Sequence, residues 1–241
     1  LKGVGAMFFE TYKSLNYDER SDGVVPYILL MHYTGMETME AARERLCDLE
    51  SKVSAHYLID EDGSIYSLIP ESKRAWHAGA SYWHGDIDIN SASIGIELVN
   101  KGHEFGYRAF PDAQMQSLLE LSRKIMSSNN ITHVLGHSDV APERKADPGE
   151  LFNWQWLAEQ GIGIWPDPTD EEFEQAQKLS CNDYDVERLF TSFGYNPIAA
   201  YIDVVTAFHR HFYPEAFING TEGQVCAQSM ARLLSIIRQT R

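Results

Sequence analysis

Basic residues are scarce in this chain of 241 residues, in which 20 lysines and arginines stand against 35 aspartates and glutamates, a formal charge of −15. Phosphate recognition needs a clustered excess of Lys and Arg, so nucleic acid is excluded as a partner. Cysteine is nearly missing as well. The three present, Cys47, Cys181 and Cys226, lie far apart and match no CxxC metal or redox pattern, so they read as small buried hydrophobes. One pairing stays open, Cys181 with Cys226 in an oxidising compartment. There is no run of about 18 apolar residues, hence no expected membrane-spanning helix. The opening LKGVGAMFFE has neither a basic n-region nor a long h-region, and its leucine start is compatible with a processed or truncated product. No HExxH pair is present, which argues against a zinc protease acting on protein. Internal repeats and low-complexity tracts are missing too.

What the chain does have is concentrated between His137 and Gly149, HSDVAPERKADPG, where a histidine, a lysine and an aspartate fall within eleven residues. Neutral imidazole and carboxylate suit Zn²⁺, and a catalytic zinc takes three protein ligands and leaves one position to water. With His137 and Asp147 as two ligands, the third donor is expected to be His32, which closes the apolar run VVPYILLMH at what would be the end of a buried strand. Asp147 is alternatively a turn residue before Pro148. Glu97 stands in SIGIEL, where Ile94, Ile96 and Leu98 share one strand face and the glutamate points to the other. A carboxylate there must be paired, with Lys145 as the natural partner, solvated in a cleft, or working as an acid or base.

The first part of the chain alternates strand and helix. Strands are expected at 24–32, 93–99 and 132–135, a helix at 38–49, and a hairpin at 55–69 around the turn-forming Asp60 to Gly63. Pro111 opens a further helix whose inward face is Met115, Leu118, Leu119, Ser122 and Ile125. PDPTDEEFEQAQ, rich in Pro and acid, reads as a linker or exposed connection, which puts a boundary near residue 168. Beyond it, residues 185–193, 198–211 and 222–237 have helical apolar spacing. The expected architecture is therefore α/β, a mixed central sheet flanked by helices (residues 1–168), with a small all-α domain at 169–241. About 70 residues is thin for a core, so docking on the first domain should contribute to its stability.

MHYT at 31–34, SAHYLID at 54–60, AWHAG at 75–79, SIGIEL at 93–98 and GHSDVAPERKADPG at 136–149 together resemble the zinc-dependent N-acetylmuramoyl-L-alanine amidases of the amidase-2 group, relatives of the peptidoglycan recognition proteins. The likeness continues through LFNWQWLAEQGIGIWPD, residues 151–167, into a C-terminal segment similar to the small helical peptidoglycan-binding domain of the AmiD-like subgroup. It spans roughly residues 22 to 238.

The resemblance implies an amidohydrolase that cleaves between N-acetylmuramic acid and L-alanine in peptidoglycan or muropeptides. It implies one Zn²⁺ on His32, His137 and Asp147, Glu97 as general base and Lys145 as oxyanion stabiliser. His77 and Asn90 are implied to contact the muropeptide. Relatives often carry an acid after that asparagine, where Ser91 stands here. Trp76 is either a core residue or a substrate contact, and Arg74 either a clamp for a peptide carboxylate or a solvated surface arginine. His56 reads as structural or supporting, and His209 and His211 as surface or packing residues. The aromatic cluster FHRHFYPEAF either stacks on sugar rings or forms the interface with the first domain. The subgroup further implies a periplasmic monomer, anchored to the outer membrane by a lipid-modified segment upstream of Leu1. The competing reading is a peptidoglycan receptor of the same fold without the chemistry, and the complete His, His, Asp set with Glu97 argues against it.

Overall fold

Runs of branched aliphatic residues build the centre of the molecule, because such side chains pack well on a pleated surface buried from both sides. The computed structural model describes residues 9–179 and 183–241. Cys181, and with it the pairing with Cys226, lies outside the described residues. Eight strands occur there: β1 (Phe9–Thr11), β2 (Tyr17–Glu19), β3 (Ile28–Tyr33), β4 (Tyr57–Ile59), β5 (Ile65–Ser67), β6 (Lys73–Ala75), β7 (Ser93–Leu98) and β8 (His133–Gly136). Six of them form a mixed sheet in the order β1-β5-β4-β7-β3-β8, and β2 pairs with β6 apart from it. Strands β4, β7, β3 and β8 run parallel, so their C-terminal ends meet at one edge. Strand β5 returns antiparallel to β4 as the expected hairpin.

The helices are α1 (Met39–Cys47), α2 (Ile89–Ala92), α3 (Gly102–Phe105), α4 (Asp112–Ser128), α5 (His137–Val140), α6 (Trp154–Glu159), α7 (Asp170–Leu179), α8 (Asp183–Phe193), α9 (Tyr201–Phe212), α10 (Glu215–Asn219) and α11 (Ala227–Gln239). Helix α4 starts directly after Pro111 and buries Met115, Leu118, Leu119, Ser122 and Ile125. They pack with Leu29, Met31, Ile94, Ile96 and Leu98 on one face of the sheet. The opposite face carries Ile28, Leu30 and Leu135, covered by Val186, Phe190, Phe208, Phe212 and Leu233 of the C-terminal helices. The segment after residue 168 thus shares a core with the sheet.

Several element limits differ from those expected of the sequence. Strand β3 begins at Ile28 rather than Val24, since Pro26 supplies no N–H to a ladder. The acidic stretch read as a linker contains α7. Thr169 and Glu172 cap it reciprocally, the Glu172 N–H donating to Thr169 Oγ1 and the Thr169 N–H to Glu172 Oε2, a capping box hidden in the acid run. Helix α11 starts at Ala227 rather than 222, with Cys226 and Ser229 exchanging cap bonds.

Candidate active site

The register of β3 and β7 sets the site. His32 is paired with Glu97 across adjacent parallel strands, so both side chains leave the same face at the C-terminal edge. Strand β8 ends at Gly136 and hands His137 to the first position of α5. The Ser138 N–H donates to the Asp147 carbonyl oxygen (3.0 Å) and draws the following loop against α5. Gly136 is required there, because a Cβ would lie 2.8 Å from Pro148 Cδ.

These backbone placements bring three ligand atoms together. His32 Nδ1 lies 2.9 Å from His137 Nδ1 and 3.0 Å from Asp147 Oδ2, and the His137 Nδ1 to Asp147 Oδ2 distance is 3.1 Å. All three residues are buried. Around a tetrahedral ion bound at ~2.0 Å, ligand atoms stand about 3.3 Å apart, so the trio fits one divalent cation with little adjustment. The far sides of the rings keep the lone pairs aimed inward. His137 Nε2–H donates to the Ala78 carbonyl oxygen (3.0 Å), which can only accept, and this leaves Nδ1 unprotonated. His32 Nε2 faces His77 Nδ1 at 3.0 Å, and His77 Nε2 faces Ser93 Oγ at 3.3 Å. With His32 Nδ1 ligating, its Nε2–H donates to His77, and His77 Nε2–H donates to the serine.

Burial, with His137 beside it, pushes the His32 imidazole down to about 4, so the ring is neutral at neutral pH. Burial and the neighbouring His32 and His56 also hold His77 well below the ordinary histidine value. Burial alone would raise Asp147, yet the adjacent His137 and His32 drive it well below the usual carboxylate range. Glu97 is shifted the other way, well above its ordinary value, by burial and by the negative charge of Asp147, with Lys145 opposing. Its Oε2 is buried and has no hydrogen-bond partner among the described residues. No ion pair within 4 Å joins Glu97 to Lys145, although both line the same cleft.

His32, His137, Asp147, Glu97, Lys145, Trp76 and His77 all line a cleft of about 420 Å³. His77 is mostly covered, and its ring fills the space over Gly95, where a Cβ would come within 2.5 Å of Nδ1. It supports a ligand from behind. Asn90 and Arg74 do not line the cleft. Asn90 Oδ1 accepts from the N–H groups of His77 and Ala78, which fixes the AWHAG loop. Arg74 is taken up by Asp18 and Asp88. His56 is structural, its Nδ1 accepting from the Gly95 N–H and its Nε2 facing the Lys73 carbonyl oxygen. In the FHRHFYPEAF cluster Phe208, His209, His211 and Phe212 are buried; Phe208 and Phe212 pack in the core shared with the sheet, His211 meets Asp139 and Trp154, and His209 faces the Glu222 carbonyl oxygen. Arg144, which is not among the site residues expected from sequence, reaches the carbonyl oxygens of Ala78 and Ala80 and fastens that loop to the segment bearing Asp147. Its position directly before Lys145 is the signal that could have singled it out.

Comparison with known proteins places this geometry. Residues 22–150 match the N-acetylmuramoyl-L-alanine amidase family. The N-acetylmuramoyl-L-alanine amidase AmiD of Escherichia coli is 35% identical over 229 residues, covering 86% of this chain and 81% of that protein. The 1,6-anhydro-N-acetylmuramyl-L-alanine amidase AmpD of the same organism is 36% identical over 163 residues, 58% of this chain and 85% of AmpD. Among solved structures, E. coli AmiD in complex with anhydro-N-acetylmuramic acid-L-Ala-D-γ-Glu-L-Lys superposes with a TM-score of 0.76 at 31% identity, covering 92% of this chain and 93% of that one. AmpDh3 of Pseudomonas aeruginosa gives 0.77 at 28% identity, with 92% and 96% covered.

Proposed function

The chain belongs to the N-acetylmuramoyl-L-alanine amidase family, and we propose that it carries out the family's hydrolysis with one zinc ion held by His32, His137 and Asp147. It cleaves the amide between the lactyl carbonyl of N-acetylmuramic acid and L-alanine. The observation that carries the zinc reading is the mutual approach of two imidazole nitrogens and one carboxylate oxygen to within 3.1 Å, in a buried cleft beside a partnerless glutamate oxygen. Two nitrogens and one oxygen, with a fourth position open to the cleft, are the donor set of a catalytic zinc.

When bound, zinc lowers the pKa of a water and polarises a carbonyl oxygen. Glu97 takes the proton of the attacking water and later returns it to the leaving amine of L-alanine. Lys145 presents an ammonium group to the charge that develops on the carbonyl oxygen. Trp76 forms one wall of the cleft, and His77, Asn90 and Arg144 hold the wall and the ligand rings in place. No covalent enzyme intermediate is required.

Residues 1–168 carry all of these groups. We assign residues 169–241 to holding the enzyme on the cell wall, working as a monomer in the periplasm where that substrate lies. The likeness to E. coli AmiD over most of both chains supports this assignment. Metal analysis tests the zinc reading. The parent should hold one zinc per chain, chelation should abolish hydrolysis of a muropeptide and added zinc restore it, while His137→Ala should be metal-poor and inactive. Stoichiometric zinc in His137→Ala would contradict the ligand assignment.

A further inference from the structure

Asp139 lies two residues beyond His137, is almost wholly buried, and accepts hydrogen bonds from three directions. One is local, the Gly136 N–H to Oδ2 at 2.7 Å. The other two come from the C-terminal helical segment: Tyr195 OH donates to Oδ1 at 2.8 Å, and His211 Nδ1–H donates to Oδ2 at 2.7 Å. His211 is itself fixed by stacking on Trp154 of α6, with ring centroids 3.8 Å apart and planes 22° from parallel. Trp154 in turn touches the space over Gly136, the residue that precedes the ligand.

A buried carboxylate is costly unless several donors satisfy it, and removing donors leaves a charge that must protonate or move. Two of the three donors on Asp139 belong to the segment after residue 168, while the third bond closes the turn that presents His137. We propose that Tyr195 and His211 are positioning residues for the metal site. They clamp Asp139, Asp139 fixes the Gly136 to Asp139 turn, and that turn sets the direction of the His137 imidazole. The helical segment is thus a structural part of the catalytic centre, although none of its side chains among the described residues lines the cleft. The inference rests on His137 being a metal ligand. Beyond that reading, the His137 turn is held by helix α9 and the turn before it, through Asp139.

The test uses the full chain, with Tyr195→Phe, which removes one oxygen atom, and two changes at His211. His211→Leu removes the donor, whereas His211→Asn offers an amide N–H close to where Nδ1–H stood. His209→Asn serves as control, because His209 is a neighbouring buried histidine of α9 whose Nδ1 faces the Glu222 carbonyl oxygen instead. Zinc affinity is read by competition with a chromophoric chelator, with kcat and KM on a soluble muropeptide beside it. His211→Leu is expected to weaken zinc binding about tenfold or more, the lower range for groups that orient a ligand. It should lower kcat with KM unchanged. Tyr195→Phe should move both quantities in the same direction by less, His211→Asn should recover most of the loss, and His209→Asn should lower the melting temperature without changing zinc affinity. The parent's affinity reports on the ligand assignment, and the ratio of variant to parent reports on the clamp. Should His211→Leu fail to fold, Tyr195→Phe and His211→Asn decide. Folded variants with parental zinc affinity and kcat, or a His209→Asn control that loses zinc equally, would overturn the proposal.

Discussion

His32 and Glu97 are register partners on the adjacent parallel strands β3 and β7, which places an imidazole and a carboxylate on one face a single strand spacing of ~4.8 Å apart. The separation is set by the backbone ladder. It does not depend on a bond between the two side chains, and Glu97 Oε2 is left without a partner among the described residues. Register thus positions the Glu97 carboxylate, while partners on their outer nitrogens hold the rings of His32 and His137.

Glu97→Gln follows directly from that division. The amide keeps the size of the side chain and removes a costly buried carboxylate, so the fold and zinc content should be retained. Turnover should drop on the order of 10²- to 10⁴-fold, because the amide cannot accept the water's proton. Activity within a few-fold of the parent, at equal zinc content, would make Glu97 structural.

Lys145 lines the cleft and forms no ion pair with Glu97, and in the proposed mechanism its ammonium group meets an oxyanion that exists only along the reaction path. Lys145→Ala should lower kcat and kcat/KM by similar factors. A change confined to KM, measured by steady-state kinetics on a soluble muropeptide, would identify a substrate-binding residue instead.

Acid should loosen the C-terminal helices through His209. Burial pushes its pKa from 6.5 down to about 4, its Nδ1 faces the Glu222 carbonyl oxygen, and its Nε2 has no partner among the described residues. The folded protein then binds fewer protons than the unfolded chain between those two values, so stability falls as pH drops through that window and is unaffected above it. The full effect amounts to about 3 kcal/mol. Thermal melts of parent and His209→Asn at pH 7.5 and about 4.5 test it. The parent should lose more stability than the variant on acidification, and equal losses would show that His209 titrates normally.

Much of this site could be read from sequence because its ligands sit in short segments with strong local character. His32 and Glu97 lie in aliphatic strand runs, and His137, Lys145 and Asp147 share one stretch of eleven residues. The inward face of α4 followed from periodicity alone. What escaped were relations between distant residues. Arg74 looks free in sequence, but its partners Asp18 and Asp88 lie on other elements. His77 lines the cleft, but that its ring nitrogen also meets His32, 45 residues away, is not legible in its own segment. The aromatic cluster of α9 suits sugar stacking or packing equally well as a string of residues, and only the sheet face bearing Ile28 and Leu30 decides between them. Asp139 meets Tyr195 and His211 across 56 and 72 residues, a separation that no periodicity reports. Helix α7 was hidden for a different reason, since its Thr169 and Glu172 cap is submerged in an acidic run that also suits a linker.

The most direct test of the account is mass analysis of the products that the zinc-loaded protein releases from purified peptidoglycan. It predicts stem peptides with a free amine on L-alanine, and muramic acid residues whose lactyl carboxylate is unsubstituted. Both should be missing when Glu97→Gln replaces the parent. Cleavage at another bond, or no cleavage by a protein carrying one zinc per chain, would contradict it.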